Sequence, residues 1–468
     1  MNKLEYFNKL APGMRSYRKR RRYYWNDSVN YCNFFIHEDD TVLEIGCGTG
    51  DVLAKLKGRK KTGIDFSPAM IAEARTHHQD IHFEVMDAHN LSLDEKYDVI
   101  VISNLVGWLD DVQTAFEQLH KVSHSHTRII ISYYNHLWEP LLKFSEKIGL
   151  KKKTPQQSWL STQDIRNVLY LAGFDAFRYT KRMLLPVNIP GISWFVNKYI
   201  AHLPFWNAFS INKYVNARPS PKANTDHNYS VSIVIPARNE SGNIENAILR
   251  LPQFGRFQEI IFIEGNSTDD TWQTIQQVAE KYKDTHRIRI GQQEGKGKGD
   301  ACRKGFAMAE GDVLMILDAD LTVPPEDLPK FYHAINSGKG EFINGSRLVY
   351  PMEKNAMRFL NMLGNKFFGM LFSWLMEQPI KDTLCGTKVM LRTDYIKLVG
   401  NRKTFGDFDP FGDFDMLFGA YKLNLKIIDL PIRYKERVYG STNISRFKHG
   451  FLLLRMCAFA AGRIKFVS

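Results

Sequence analysis

Short apolar runs alternating with helical patterns recur along the whole chain, and few architectures accept such an alternation. In the first half the runs are TVLEIGC (41–47), KKTGIDF (60–66), IHFEVMD (81–87), YDVIVISN (97–104) and TRIIISYYN (127–135), separated by helical stretches such as SPAMIAEARTHH and DVQTAFEQLHKV. In the second half they are SVSIVIPA (230–237), EIIFIEG (259–265), RIRIG (287–291), DVLMILDAD (312–320) and EFINGSR (341–347). Strand, helix and strand in succession predict parallel sheets built from βαβ units. A chain of 468 residues holds two or three domains, each with its own core. The periodicity breaks in NARPSPKANTDHNYS (216–230), rich in Pro, Asn and Ser. The expected organisation is α/β with two doubly wound domains: 1–215 with an N-terminal helical cover, a linker over 216–228, and 229–468 with an amphipathic C-terminal segment.

One run carries a chemical signal. Val313 to Leu317 are continuously apolar, as in a strand covered on both faces, and Asp318 and Asp320 follow at its C-terminal end. In open α/β sheets that edge faces the ligand crevice. Two carboxylates crowded there repel unless a cation lies between them, and oxygen donors suit a hard divalent ion such as Mg²⁺ or Mn²⁺.

The 63 Lys and Arg exceed the 50 Asp and Glu, a net charge of +13 that suits an anionic partner: a nucleotide, a lipid phosphate, an acidic membrane face or nucleic acid. Five scattered cysteines without a C-x-x-C pair indicate neither a disulfide framework nor a zinc site, and fit a reducing cytoplasm. The N-terminal stretch lacks the apolar core of a secretory signal, and GFLLLRMCAFAAG (450–462) is too short to span a bilayer. The chain is therefore expected to be cytoplasmic, either soluble or peripheral at the cytoplasmic membrane face, where a membrane protein could be its partner. The basic run Arg18 to Arg22, followed by Tyr23, Tyr24 and Trp25, suits contact with an anionic membrane or nucleic acid but reads first as a solvated helix face, and no nucleic-acid module accompanies it. The aromatic stretch 188–209 suits either a water–lipid boundary or core packing.

The first strand ends in LEIGCGTG, a turn in which glycines allow positive φ and close approach of a ligand. Asp65 and Asp87 close the next two strands, and Asn104 follows the fourth. With Glu44, Gly46, Gly48 and Gly50 in an E-x-G-x-G-x-G pattern, residues 40–180 resemble the class I S-adenosylmethionine-dependent methyltransferases, whose fold is Rossmann-like. The resemblance implies that Gly46 and Gly48 pass beneath the methionine part of S-adenosylmethionine. Asp65 would accept the ribose hydroxyls, Asp87 and Ala88 would meet the adenine, and Glu44 and Asn104 would complete the cofactor site. The methyl acceptor is open, with Asn104, Tyr134, Asn135 and His136 facing its expected cleft; His136 is a candidate base or merely a helix cap.

From residue 229 onward the chain resembles the family-two glycosyltransferases of GT-A fold, most closely enzymes of the dolichyl-phosphate mannosyltransferase kind. The resemblance rests on VIPARNE (234–240), EIIFIEGNSTDDT (259–271), GKGKGDACRKGF (295–306), LDADLTVPPEDL (317–328), NGSR (344–347), DTLCGTKVMLR (382–392) and PIRYKERVYGSTNIS (431–445) in order. It implies a nucleotide-diphosphate-sugar site formed by Pro236, Glu240, Glu264, Lys298 and Asp318, with Asp318 and Asp320 holding the metal and Asp320 the more direct ligand. GKGKG lacks the spacing of a P-loop, so Lys298 is expected near the diphosphate. Glu264-Gly265 stands where the family usually shows paired aspartates, which leaves the nucleotide base undetermined.

Two acceptor classes make different demands. A hydroxyl acceptor needs a base, and Asp413 and Asp415 occupy the region where the family places it; a lipid phosphate needs cations, and Arg347, Arg358, Arg433 and Arg437 are candidates. The resemblance to lipid-phosphate enzymes, especially in PIRYKERVYGST, implies a polyprenyl phosphate. The function implied is a bifunctional enzyme, an inverting metal-dependent sugar transferase and a methyltransferase acting in one pathway. The alternative is transfer to a glycan hydroxyl, with the first domain a binding or scaffold module.

Overall fold

A computed structural model describes residues 2–148, 154–155, 157–221, 227–350, 359–400, 412–437, 439 and 446–466. The chain divides into two compact units, Met1–Ser220 with Phe466–Ser468, and Pro221–Lys465.

The first unit is built on a seven-stranded sheet in the order β3-β2-β1-β4-β5-β7-β6. Its strands are β1 (Thr41–Ile45), β2 (Lys60–Asp65), β3 (His82–Val85), β4 (Tyr97–Ser103), β5 (Ser123–Tyr134), β6 (Phe174–Arg182) and β7 (Asn212–Pro219). β1 pairs in parallel with both β2 and β4, so the strand order reverses beside it. The loops after β1 and β4 diverge there and leave a crevice at the C-terminal edge. Val42, Leu43 and Ile45 of β1 are buried, as the apolar run predicted. Two helices, Lys3–Arg20 and Arg22–Phe35, form the N-terminal cover, the second burying Tyr24, Val29, Tyr31 and Cys32.

The expected linker is corrected at its start. Asn216 to Pro219 are sheet residues of β7, paired antiparallel with β6, and Asn216 and Ala217 also pair with β5. The boundary falls after Ser220. β6 and β7 went unread because they bury charge: Arg178 is fully buried with its guanidinium 4.7 Å from the Phe35 ring centre, and Lys213 and Arg218 are also buried. Such strands lack the apolar alternation by which a sequence betrays them.

The second unit has a seven-stranded sheet in the order β10-β9-β8-β11-β13-β12-β14. The strands are β8 (Val231–Ala237), β9 (Gln258–Glu264), β10 (Arg287–Gln292), β11 (Val313–Ile316), β12 (Phe342–Ser346), β13 (Lys388–Leu391) and β14 (Ile427–Pro431). β11 is fully buried, parallel to β8 but antiparallel to β13. The sheet is thus mixed at the position read as the middle of a parallel one, since continuous apolarity reports burial on two faces and not the direction of a neighbour. The helix Phe359–Met376 packs one face on the core, where the Phe372 ring lies 4.5 Å from Phe414 and 5.0 Å from Phe418. No described helix is long and apolar enough to cross a membrane.

Candidate active sites

In the first unit a cavity of about 1630 Å³ opens over the C-terminal edge of β1, β2 and β4. Gly46, Gly48, Asp65, Asp87, Ala88 and Asn104 all line it, as expected. Gly46 and Gly48 adopt φ of +74° and +55°, a region that L side chains rarely enter. They turn the chain sharply, and the turn is fixed by Asp65, whose carboxylate accepts hydrogen bonds from Gly48 N and Ser67 N, each at 2.9 Å. Burial raises the pKa of Asp65 against these stabilising amides. Glu44 lies beneath the turn rather than in the cavity lining; burial pushes its pKa up to about 7, with Arg18 acting in the opposite sense.

Arg18 is the residue that sequence reasoning missed. The run Arg18 to Arg22 is not one solvated face: the first helix ends at Arg20, and Arg18 turns inward over the glycine turn and under the Trp25 ring, 4.9 Å from its centre. A Cβ on Gly48 would lie 3.1 Å from its Nη2. Its Nε and Nη1 are buried without a hydrogen-bond partner, and the Asp51 carboxylate stands 3.9 Å away. A buried guanidinium with spare donors beside a ligand cavity fits a carboxylate ligand.

On the acceptor side, Asn104 donates from Nδ2 to Tyr24 Oη at 3.0 Å, and Tyr134 stacks on Tyr24 at 6.3 Å. Asn135 is instead committed to the scaffold, donating to the carbonyls of Ala208 and Ser210. His136 lies outside the cavity lining with Nδ1 3.3 Å from Lys213 Nζ; partial burial and that ammonium both lower its pKa.

In the second unit Asp318 and Asp320 emerge directly after β11, as predicted. Each faces a cation. Lys298 Nζ lies 2.5 Å from Asp318 Oδ1, and Arg437 Nη2 lies 2.6 Å from Asp320 Oδ2. Arg437 also reaches Glu240 Oε1 at 2.8 Å, while Asp320 Oδ1 accepts from Thr322 N and Oγ1. Burial disfavours the charges of Asp318 and Lys298, but each partner outweighs it, so the carboxyl is held below and the ammonium above its usual range. Burial raises the pKa of Glu240, opposed by Asn243 and Arg437. Pro236 lies near the end of β8, and Glu264 closes β9 with its carboxylate bound by Ser267 N and Gln292 Nε2. A Cβ on Gly386 would collide with Asp318 Oδ2 and Lys298 Nζ, so this glycine leaves the acid pair uncovered.

Residues 17–217 match the family model described as a methyltransferase domain, and residues 232–399 match glycosyl transferase family 2. The chain joins a methyltransferase domain to a family 2 glycosyltransferase domain. A dolichol-phosphate mannosyltransferase of Pyrococcus furiosus is 38% identical over 225 residues, covering 46% of this chain and 59% of that protein. An undecaprenyl-phosphate 4-deoxy-4-formamido-L-arabinose transferase of Klebsiella pneumoniae is 31% identical over 221 residues, covering 46% of this chain and 62% of that protein. The chain thus spans about three-fifths of the length of these curated relatives. A solved S-adenosylmethionine-dependent methyltransferase of Thermotoga maritima aligns with 46% of this chain and 98% of its own at 16% identity and a TM-score of 0.37.

The glycosyltransferase domain treats the expected acceptor residues unequally. Arg347 forms a two-pronged pair with Asp382 at 2.7 and 2.9 Å, in a site that excludes most solvent. Arg433 is exposed with its guanidinium 6.0 Å from the Tyr350 ring centre, and Arg358 lies outside the described residues. Asp413, a candidate base, is buried 3.2 Å from the wholly buried ammonium of Lys388, which the sequence reading did not single out. Asp415 lies two residues further along the same helix, Asp413–Lys422.

Proposed function

We propose that the glycosyltransferase domain transfers a sugar, with inversion, from a nucleotide-diphosphate sugar to a polyprenyl phosphate, and that the methyltransferase domain binds S-adenosylmethionine and methylates a compound of the same pathway. The acid pair with its two facing cations carries this reading. A sugar leaving a diphosphate requires positive charge where the departing oxygens develop theirs, and Lys298 and Arg437, which face Asp318 and Asp320, would supply it.

The donor set fits a divalent metal. Asp318 and Asp320 offer hard oxygens, and Gly386 keeps the first of them clear of side-chain bulk. Among the described residues no group of three His, Cys, Asp or Glu gathers into a metal site, so Asp318 and Asp320 would be the residues that hold Mg²⁺ or Mn²⁺. A metal there supplies charge stabilisation to the leaving diphosphate. With Asp320 holding the metal, the Arg437 guanidinium would be available to phosphate oxygens. An anionic phosphate acceptor needs no base. Asp413, paired with Lys388, accordingly serves to position that lysine and the chain beside Cys385, whose carbonyl also accepts from it. In the methyltransferase domain Arg18 would take the carboxylate of S-adenosylmethionine and Asp65 its ribose.

The test incubates the purified chain with labelled nucleotide sugars and polyprenyl phosphate. Label should enter the lipid-extractable fraction, vanish with a chelator and return with Mn²⁺. Transfer indifferent to the chelator would refute the metal assignment, and label confined to glycan hydroxyl acceptors would refute the lipid one.

A further inference from the structure

Beyond the two active sites, the methyltransferase unit carries an exposed apolar face that its own core does not use. Around the helix Glu139–Lys147, Leu137, Leu141, Phe144 and Ile148 follow at spacings of 4, 3 and 4, which is one helix face. All four are more than half exposed, at 53, 55, 57 and 52%. Beside them the segment 187–209 exposes Val187, Trp194, Phe195, Phe205, Trp206 and Phe209. The two elements are fastened to each other: Trp138 Nε1 donates to Phe209 O at 3.0 Å, and Asn135 Nδ2 donates to the carbonyls of Ala208 and Ser210 at 2.9 Å. They form one surface. Apolar surface on this scale marks an interaction site.

Charge identifies what covers it. No Asp or Glu occurs from residue 176 to 225, where Lys181 and Lys198 lie, and the exposed helix balances Lys143 and Lys147 against Glu139 and Glu146. Aromatic side chains in apolar stretches edged by lysine suit the headgroup depth of an anionic bilayer. A second copy of the chain would instead bring two such acid-free segments with their lysines together, which repels. We propose that this face docks on an anionic membrane surface. Trp138 and Leu142 from one element and Pro186 and Val187 from the other also line the cavity over Gly46 and Gly48, so docking sets the mouth of that cavity at the lipid boundary. An amphiphile then enters it without crossing bulk water. A volume of about 1630 Å³ exceeds the ~300–1,000 Å³ of common ligand pockets, leaving room for such a molecule beside a nucleoside.

The experiment is flotation of the full chain with vesicles of phosphatidylcholine, with and without phosphatidylglycerol. Binding should need phosphatidylglycerol and weaken in high salt. Two double variants, Leu141→Glu with Phe144→Glu and Phe205→Glu with Trp206→Glu, should each lower the partition by ~10-fold or more. None of these four residues lines the cavity, so S-adenosylmethionine binding by calorimetry and the thermal midpoint should hold, and the pair that folds decides if the other does not. Three results overturn the proposal: no vesicle binding by the parent chain, equal binding by folded variants, or a dimer that the variants convert to monomer. Sugar transfer is not part of the readout, so failure here leaves that reading untouched.

Discussion

Arg437 illustrates how much a single side chain settles. It bridges Asp320 and Glu240, two carboxylates from different loops, and holds charges that would otherwise repel. Asp320→Ala should abolish sugar transfer, and Arg437→Ala should lower it while the chain stays folded, both read by product formation. Asp413 is different. Losing one partner of a buried ion pair costs ~3–5 kcal/mol, so Asp413→Asn should lower the thermal midpoint by unpairing Lys388. A stable Asp413→Asn variant that lost ~10²-fold or more in rate would mark a base and favour a hydroxyl acceptor. Glu44 adds a pH dependence. Its folded pKa of about 7 lies above the ordinary 4.5, so the folded chain keeps a proton that the unfolded chain releases between those values. Stability should therefore fall as pH rises from about 4.5 to about 7, by at most ~3 kcal/mol, and level off above. Glu44→Gln should melt higher than the parent at pH 8 and equally at pH 4.5; no gain at pH 8 would mean that the charge has a stabilising partner. At this scale the sequence showed which residue types meet at strand ends. It could not show which arginine of a run turns inward, because five successive charges look alike until the helix ends at Arg20.

Elements were legible where apolarity is continuous. The runs at β1, β4, β8, β9 and β11 became strands with buried residues, since continuous apolar runs can only be sheltered from water. β6 and β7 escaped because Arg178, Lys213 and Arg218 are buried within them, and β13 because Lys388 opens it. The turn after β1 was legible for a sharper reason: it needs positive φ, which glycine supplies. Gly46→Val would force a branched side chain to φ +74° and against Leu105, 2.9 Å from an added Cβ. Calorimetry should show loss of S-adenosylmethionine binding, with sugar transfer retained. Binding unchanged in this variant would remove the cofactor from the turn. Gly386→Ala is the counterpart in the other unit, where an added methyl meets Asp318 and Lys298; it should suppress sugar transfer and spare S-adenosylmethionine binding.

The whole molecule carries two domains with separate sheets; the periodicity breaks at residue 216, while β7 continues to Pro219 and the first unit ends at Ser220. Residues 17–217 match a methyltransferase domain and residues 232–399 match glycosyl transferase family 2, and the relatives of the second domain include polyprenyl-phosphate sugar transferases. The central claim is that a lipid phosphate receives the sugar. Mass spectrometry of products formed from a panel of nucleotide sugars, with polyprenyl phosphate and a free glycan competing in one reaction, tests it directly. A polyprenyl phosphate heavier by one sugar, absent with Asp320→Ala, is the predicted result; a lengthened glycan beside unchanged polyprenyl phosphate would contradict it.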